Sequence, residues 1–204
     1  GDVALLVDAV SSLGGIPVEV DRHGIDVCLA SVQKCLALPP GFSVCAVSAR
    51  ALERSAKRVG KGYYLDFIRL KGFFDRGLPM ATPSVGHIFA LQAQMKRIEA
   101  EGLEARYARH RAMGDLARAW AASRFGLFAE EKARSNTVTC VANTRRIDVA
   151  RFISALAARG YGVSNGYGRL KEETFRIGHM GDHTVKGLED LLGTMDEVVQ
   201  EAGA

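Results

Sequence analysis

Apolar and polar positions along the chain divide it into short buried runs, then long periodic helices, then a mixture of the two. Residues 3–10 (VALLVDAV) form a compact apolar run ended by small residues, the pattern of a buried strand. Residues 25–31 (IDVCLAS) predict a second strand. The intervening SSLGGIPVEVDRHG supplies enough chain for a crossover between parallel neighbours. LPPG at 38–41 marks a turn, FSVCAVSA at 42–49 predicts a third strand, and residues 49–59 read as an amphipathic helix. Three apolar strands joined by crossovers predict an α/β sheet covered on both faces. Residues 60–83 are aromatic and rich in Gly and Pro, and read as one long irregular connection of the kind that often carries function.

A long helix is expected from about Ser84, with Ile88, Phe89, Leu91, Met95 and Ile98 on its apolar side. EGL at 101–103 interrupts it. A second helix runs to about Ser123 with Ala112, Leu116, Ala119 and Trp120 on one face. NTVTCVAN (136–143) alternates like a strand, and 147–159 predicts a helix closed by Gly160. YGVSNG reads as a short strand or turn, TFRIGHMG (174–181) as a strand, and 184–201 as a closing helix. The change of rhythm divides the chain into residues 1–103 and a small α+β domain over 104–204. No internal repeat or low-complexity segment interrupts the pattern.

Composition adds little to this picture and excludes some alternatives. The chain has 204 residues, 48% hydrophobic and 25% charged, which suits one large domain or two small ones. No stretch is apolar enough for long enough to span a bilayer, and neither end shows a signal or lipidation motif, so a cytoplasmic protein is the expectation. Formal net charge is +4, with a pI of about 9.0. The basic residues alternate with acids, as in ALERSAKRVGK and EGLEARYARHR, which predicts solvated helix faces rather than a nucleic-acid stripe. Cys28, Cys35, Cys45 and Cys140 form no C-x-x-C pair and read as buried, reduced thiols.

The candidate chemistry begins with Asp8, a carboxylate inside an apolar run. Buried ionised groups want a partner. In open α/β sheets ligands bind beyond the carboxyl ends of the strands. The second strand ends in SVQK, which brings Lys34 to the same edge as Asp8, with Val10 beside them. One reading is a plain ion pair between Asp8 and Lys34. The other is a site for a pyridine ring, with the acid at its nitrogen, an apolar residue on its face, and a lysine joined covalently to its aldehyde.

The segments VDAVSSLGG, SVQKCLALPPG, ATPSVGHIFAL, EGLEARYARHR and FRIGHMG occur in an order that resembles class V aminotransferases, in the branch of alanine–, serine–glyoxylate and serine–pyruvate enzymes. The resemblance covers nearly the whole chain. It implies the second half of a fold-type I large domain with a mostly parallel sheet, followed by a C-terminal α+β domain. It implies pyridoxal 5′-phosphate as cofactor, small amino acids and 2-oxo acids as substrates, and a homodimer with a shared active site. Carried over by residue, Asp8 pairs with the pyridinium nitrogen and Val10 packs on the ring. Gln33 bonds the phosphate. Lys34 links to the cofactor and moves the substrate Cα proton, and Arg176 clamps the substrate carboxylate. Thr82 reaches the phosphate of the neighbouring subunit. Outside that context Arg176 reads as a surface residue on an edge strand, and Thr82 as a cap for the helix after Pro83.

Two positions depart from the family pattern. Val32 stands where a small hydroxyl residue or glycine is usual, which removes a possible hydrogen bond, and Pro79 stands where some members carry a tyrosine. The family's N-terminal half, with its glycine-rich phosphate turn and ring-stacking aromatic, has no counterpart here. The chain is therefore expected to be a C-terminal portion that does not transaminate unaided. Alternatives on the same cofactor are a lyase, an epimerase or a cysteine desulfurase, although Gln33 replaces the desulfurase histidine and Cys140 is strand-like. A non-catalytic binding or assembly module is the alternative of another class. HMGDH could suggest a metal, but in the family context His179 is a strand residue near the site, with no metal expected. His23, His87 and His110 read as surface or helix-face residues.

Overall fold

The computed structural model describes residues 3–201, in two compact units. One comprises the chain up to Leu13 together with Pro17–Arg97; the other comprises Gly14–Ile16 and the chain from Ile98 onward.

In the first unit, β1 (Leu6–Asp8), β2 (Val27–Ser31) and β3 (Ser43–Val47) form a sheet in that order. β1 and β2 are parallel, with Asp8 opposite Leu29, as a crossover requires. β2 and β3 are antiparallel, so the sheet is mixed where a third parallel strand was expected. LPPG lies in the connection that reverses the chain between them. The crossover contains no helix; its Leu13, Val18 and Val20 pack on a small core of Ala9, Ile25 and Cys28. β1 is shorter than the apolar run and is not a buried strand: Leu5 and Leu6 are exposed, Leu6 by 67%.

Helix α1 (Ala49–Ala56) starts at Ser48, whose hydroxyl accepts from the Ala51 amide. The stretch expected to be wholly irregular contains α2 (Phe67–Phe74), capped by Asp66 accepting from Ile68 N–H at 2.9 Å. Helix α3 (Val85–Glu101) has the expected length but not the expected burial. Ile98 is buried, whereas Ile88, Phe89 and Met95 are exposed.

In the second unit, α4 (Leu103–Arg124) begins after Gly102, whose φ of 82° is a left-handed break that favours glycine. Its buried face is Arg106, His110, Met113, Gly114, Ala117, Trp120 and Ala121, a spacing of three and four residues. Ala112 and Ala119, expected on that face, are exposed. β4 (Gly126–Leu127), β5 (Val138–Ala142), β6 (Ser164–Asn165) and β7 (Thr174–Gly178) form an antiparallel sheet ordered β4-β5-β7-β6. α5 (Val149–Ala158) and α6 (Val185–Glu201) complete the α+β unit. Phe175 and Ile177 of β7 meet Val141, Phe152, Leu156, Leu191, Met195 and Trp120 in one core. Two-residue alternation then turns Arg176 to the opposite face of the sheet. Among the described residues, no helix is long and apolar enough to cross a membrane.

Candidate active site

Two acids in the first unit resolve in opposite ways. Asp26, at the foot of β2, is buried. Its carboxylate accepts from Arg50 Nε at 2.8 Å, from Arg50 Nη2, from Ser48 Oγ at 3.0 Å and from the Leu5 amide at 2.9 Å. The Arg50 bond, then the Leu5 amide, hold this carboxyl well below the usual range. Asp26 is thus a structural acid with a side-chain partner. Sequence reading passed over it, and the signal was an acid within IDVCLA.

Asp8 ends β1 and is exposed, not buried. Its Oδ1 accepts from the Val10 amide at 2.9 Å. That bond holds the turn in which Val10 sits, half-buried, two residues past the end of β1. Lys34 lies in the turn that follows β2 and is half-buried. Among the described residues it makes no ion pair or side-chain hydrogen bond, so the plain Asp8–Lys34 ion pair is not formed. The two turns are nonetheless tied together. The Cys35 thiol, fully buried, donates to the Ser11 carbonyl at 3.3 Å. The structure therefore brings Asp8, Val10 and Lys34 to one end of two adjacent parallel strands.

The lysine turn is closed by Ala37 N–H to Lys34 O at 2.9 Å and by Leu38 N–H to Val32 O at 3.0 Å. Closure places Ala37 at φ 54°, a left-handed backbone that disfavours a side chain. Val32 is fully buried in the core beneath. One residue earlier, Ser31 Oγ donates to Gln33 Oε1 at 2.5 Å. Gln33 is exposed, with its amide N–H groups left as donors.

Thr82 is exposed and lines a cavity of about 400 Å³ with Gly41, Phe42, Tyr64, Pro79 and Ser84. It does not cap α3. Ser84 occupies the cap position, its carbonyl accepting from Ile88 N–H and its hydroxyl bonding His87 Nδ1 at 2.7 Å. His87 also bonds the Pro40 carbonyl at 3.2 Å, and its ring lies where a Cβ on Gly41 would stand.

In the second unit Arg176 lies on β7, an inner strand between β5 and β6 rather than an edge. Its Nε and Nη2 donate to the Asn165 carbonyl at 3.2 and 3.0 Å, and its guanidinium lies 4.2 Å from the centre of the Tyr167 ring. Cys140 pairs with Arg176 across β5 and β7, which fixes it in a strand.

EGLEARYARHR and GHMGDH form one network in this unit. Arg106 is buried and donates from Nε to the Gly14 carbonyl at 2.9 Å and from Nη1 to Glu101 at 2.7 Å. Arg109 donates to Glu101 Oε1 at 2.7 Å, to the Gly181 carbonyl at 3.2 Å and to the His183 carbonyl. The Arg109 bond, with help from Arg106, lowers the Glu101 carboxyl to about 2. His110 is fully buried on the inner face of α4, the helix-face alternative of its expected placement. Its Nδ1 faces the Arg106 carbonyl at 2.8 Å and its Nε2 accepts from the Gly181 amide at 3.1 Å, an arrangement that suits the neutral ring. His179 follows the end of β7, fully buried, with Nε2 2.9 Å from Thr139 Oγ1; burial pushes it down to about 4. Of the four cysteines, all free, Cys28 and Cys35 are buried but Cys45 is exposed, which corrects its expected burial.

A sequence model of the family described as aminotransferase class-V matches residues 1–171. An uncharacterized aminotransferase of Methanocaldococcus jannaschii is 38% identical over 95% of this chain and 51% of its own length. The serine–glyoxylate aminotransferase of Arabidopsis thaliana is 32% identical over 98% of the chain and 51% of its own. The crystal structure of an alanine–glyoxylate aminotransferase from Nostoc superposes with a TM-score of 0.90 at 28% identity, covering 97% of this chain and 54% of that one. The chain thus spans about half the length of the curated relatives it matches.

Proposed function

Because this chain belongs to the class-V aminotransferases, whose cofactor is pyridoxal 5′-phosphate, we propose that it carries part of the active site of a transaminating enzyme. That enzyme moves the amino group of a small amino acid, alanine or serine, to glyoxylate or pyruvate. The glyoxylate enzymes among its relatives support this substrate class. One observation carries the reading: Asp8 at the end of β1 and Lys34 just past the end of the adjacent parallel β2 share one sheet edge, and neither is neutralised by the other.

The residues present fit the cofactor. Asp8 has one oxygen held by the Val10 amide and the other available, and Lys34 is uncommitted among the described residues. Gln33 keeps its amide donors because Ser31 occupies its oxygen. When bound, the cofactor supplies an electron sink that makes the substrate Cα–H bond breakable. Asp8, an anion, holds a proton at the ring nitrogen. Val10 gives the ring an apolar wall. Gln33 donates to the phosphate, and Thr82 donates to the phosphate of the other subunit in a homodimer with shared sites. Lys34 would hold the cofactor through its aldehyde, and its amine would be the base that carries the proton of substrate Cα. Arg176 receives the substrate carboxylate through paired N–H donors. Four cysteines outside any disulfide agree with a cytoplasmic location.

In holoenzyme prepared with pyridoxal phosphate, a near-visible absorbance band bleached by borohydride is expected, together with turnover of alanine or serine. Lys34→Ala should lose the borohydride-sensitive band and lower turnover by roughly 10²-fold or more. A variant that keeps the band would overturn the assignment of this lysine. The 204 residues by themselves are expected to give no turnover, since the family's site draws on a further portion; activity from them alone would refute that part.

A further inference from the structure

We infer that Asn165 and Tyr167 are positioning residues for carboxylate recognition, holding Arg176 so that only the outer Nη1/Nη2 edge of its guanidinium can receive an anion. This rests on the reading of Arg176 as the carboxylate clamp and deepens it by fixing the direction of approach. A guanidinium offers two edges for a two-pronged bond, the Nε/Nη2 edge and the Nη1/Nη2 edge. The Asn165 carbonyl occupies the first, at 3.2 Å from Nε and 3.0 Å from Nη2. The guanidinium carbon lies over the Tyr167 ring, 4.2 Å from its centre. Of the two edges, the end-on Nη1/Nη2 edge is the one the Asn165 carbonyl does not span.

The platform behind the arginine is rigid for identifiable reasons. The Asn165 side chain accepts from Gly166 N–H at 2.8 Å and Glu172 N–H at 2.9 Å, and its amide donates to Glu172 Oε1 at 2.5 Å. Glu172 is held in turn, its Oε2 accepting from the Val149 amide at 2.8 Å. Gly166 approaches the Leu170 carbonyl so closely that a Cβ would stand 2.0 Å from its oxygen. The carbonyl that grips Arg176 therefore belongs to a closed loop with no slack. Tyr167 is different: the residue is 77% exposed, so it adds little to the core, and its ring contacts the cation.

The test uses holoenzyme, with calorimetric binding of propionate as an unreactive carboxylate and steady-state kinetics beside it. Tyr167→Ala and Tyr167→Leu should each weaken propionate binding by about threefold to tenfold. They should raise KM for amino and oxo substrates alike and leave kcat within about twofold. Tyr167→Phe keeps the ring face and should restore wild-type values. If Tyr167→Ala and Tyr167→Leu bind propionate as the parent does, or if Tyr167→Phe is as weak as Tyr167→Ala, the inference is wrong. Arg176→Ala separates the two levels. If it leaves propionate binding intact, the clamp assignment itself fails. If it abolishes binding while Tyr167 proves indifferent, only the positioning role does.

Discussion

Ala37 shows what a single residue endures so that Lys34 can stand where it does. Its φ of 54° costs an L residue about 1–2 kcal/mol, and glycine avoids that cost while losing about 0.5–1 kcal/mol through its looser unfolded chain. Ala37→Gly should therefore raise the unfolding free energy by about 0.5–1 kcal/mol, measured by urea denaturation. A loss of stability would mean that the Ala37 methyl contributes packing the backbone angle does not reveal. At this scale the sequence was informative where chemistry is local and silent where it is not. The places of Asp8, Val10, Gln33 and Lys34 were legible because each stands at, or just after, the end of a strand. Those of Asp26 and His110 were not, because their partners, Arg50 and the Gly181 amide, are remote in sequence and no local pattern announces them.

The elements of the second unit are joined by polar groups whose titration has a definite sign. His179 is buried after β7 and titrates near 4 instead of 6.5. The unfolded chain therefore binds more protons between those values, and stability must fall as pH drops from 6.5 to 4. His110, lowered mainly by burial, acts in the same direction. Glu101, held near 2 rather than 4.5, contributes stability above 4.5 that is lost as pH falls towards 2. Urea midpoints measured against pH should decline across both windows, and His179→Gln should flatten the upper one. An unchanged slope in that variant would locate the titrating group elsewhere. Element identity was largely legible in advance: the third-strand run, the alternation of NTVTCVAN and the break at Gly102 all reappear. Helix α2 was hidden because FIRLKGFF is aromatic and interrupted by Gly72, so its periodicity is weak; Asp66 as cap was the available clue.

At the scale of the whole chain, the two units differ in what they bury. The second has a continuous core drawn from α4, α5, α6, β5 and β7. The first has a small core around Ala9, Ile25 and Cys28, with apolar side chains such as Leu6 and Phe89 on the surface. Amide hydrogen exchange on this chain should accordingly be slowest at residues such as Ala117, Phe175, Leu192 and Met195, and markedly faster in β1 and β3. Equal protection in both would contradict the difference in burial. The same contrast explains why the face of α3 was misjudged. Periodicity identifies an apolar side, but nothing in a local pattern says whether this chain covers it.

The bond from Arg106 to the Gly14 carbonyl bears on how such a protein can be divided. Gly14–Ile16 belongs with the chain from Ile98 onward, so the second unit is discontinuous in sequence. An expression boundary drawn at residue 98 would look natural on a gene map. It would still strip a buried guanidinium of one acceptor, at a cost of about 1.5–3 kcal/mol for a charged hydrogen bond. The excisable module is therefore not an uninterrupted stretch of the polypeptide, and recombination or fusion at that boundary would have to carry the three-residue segment along.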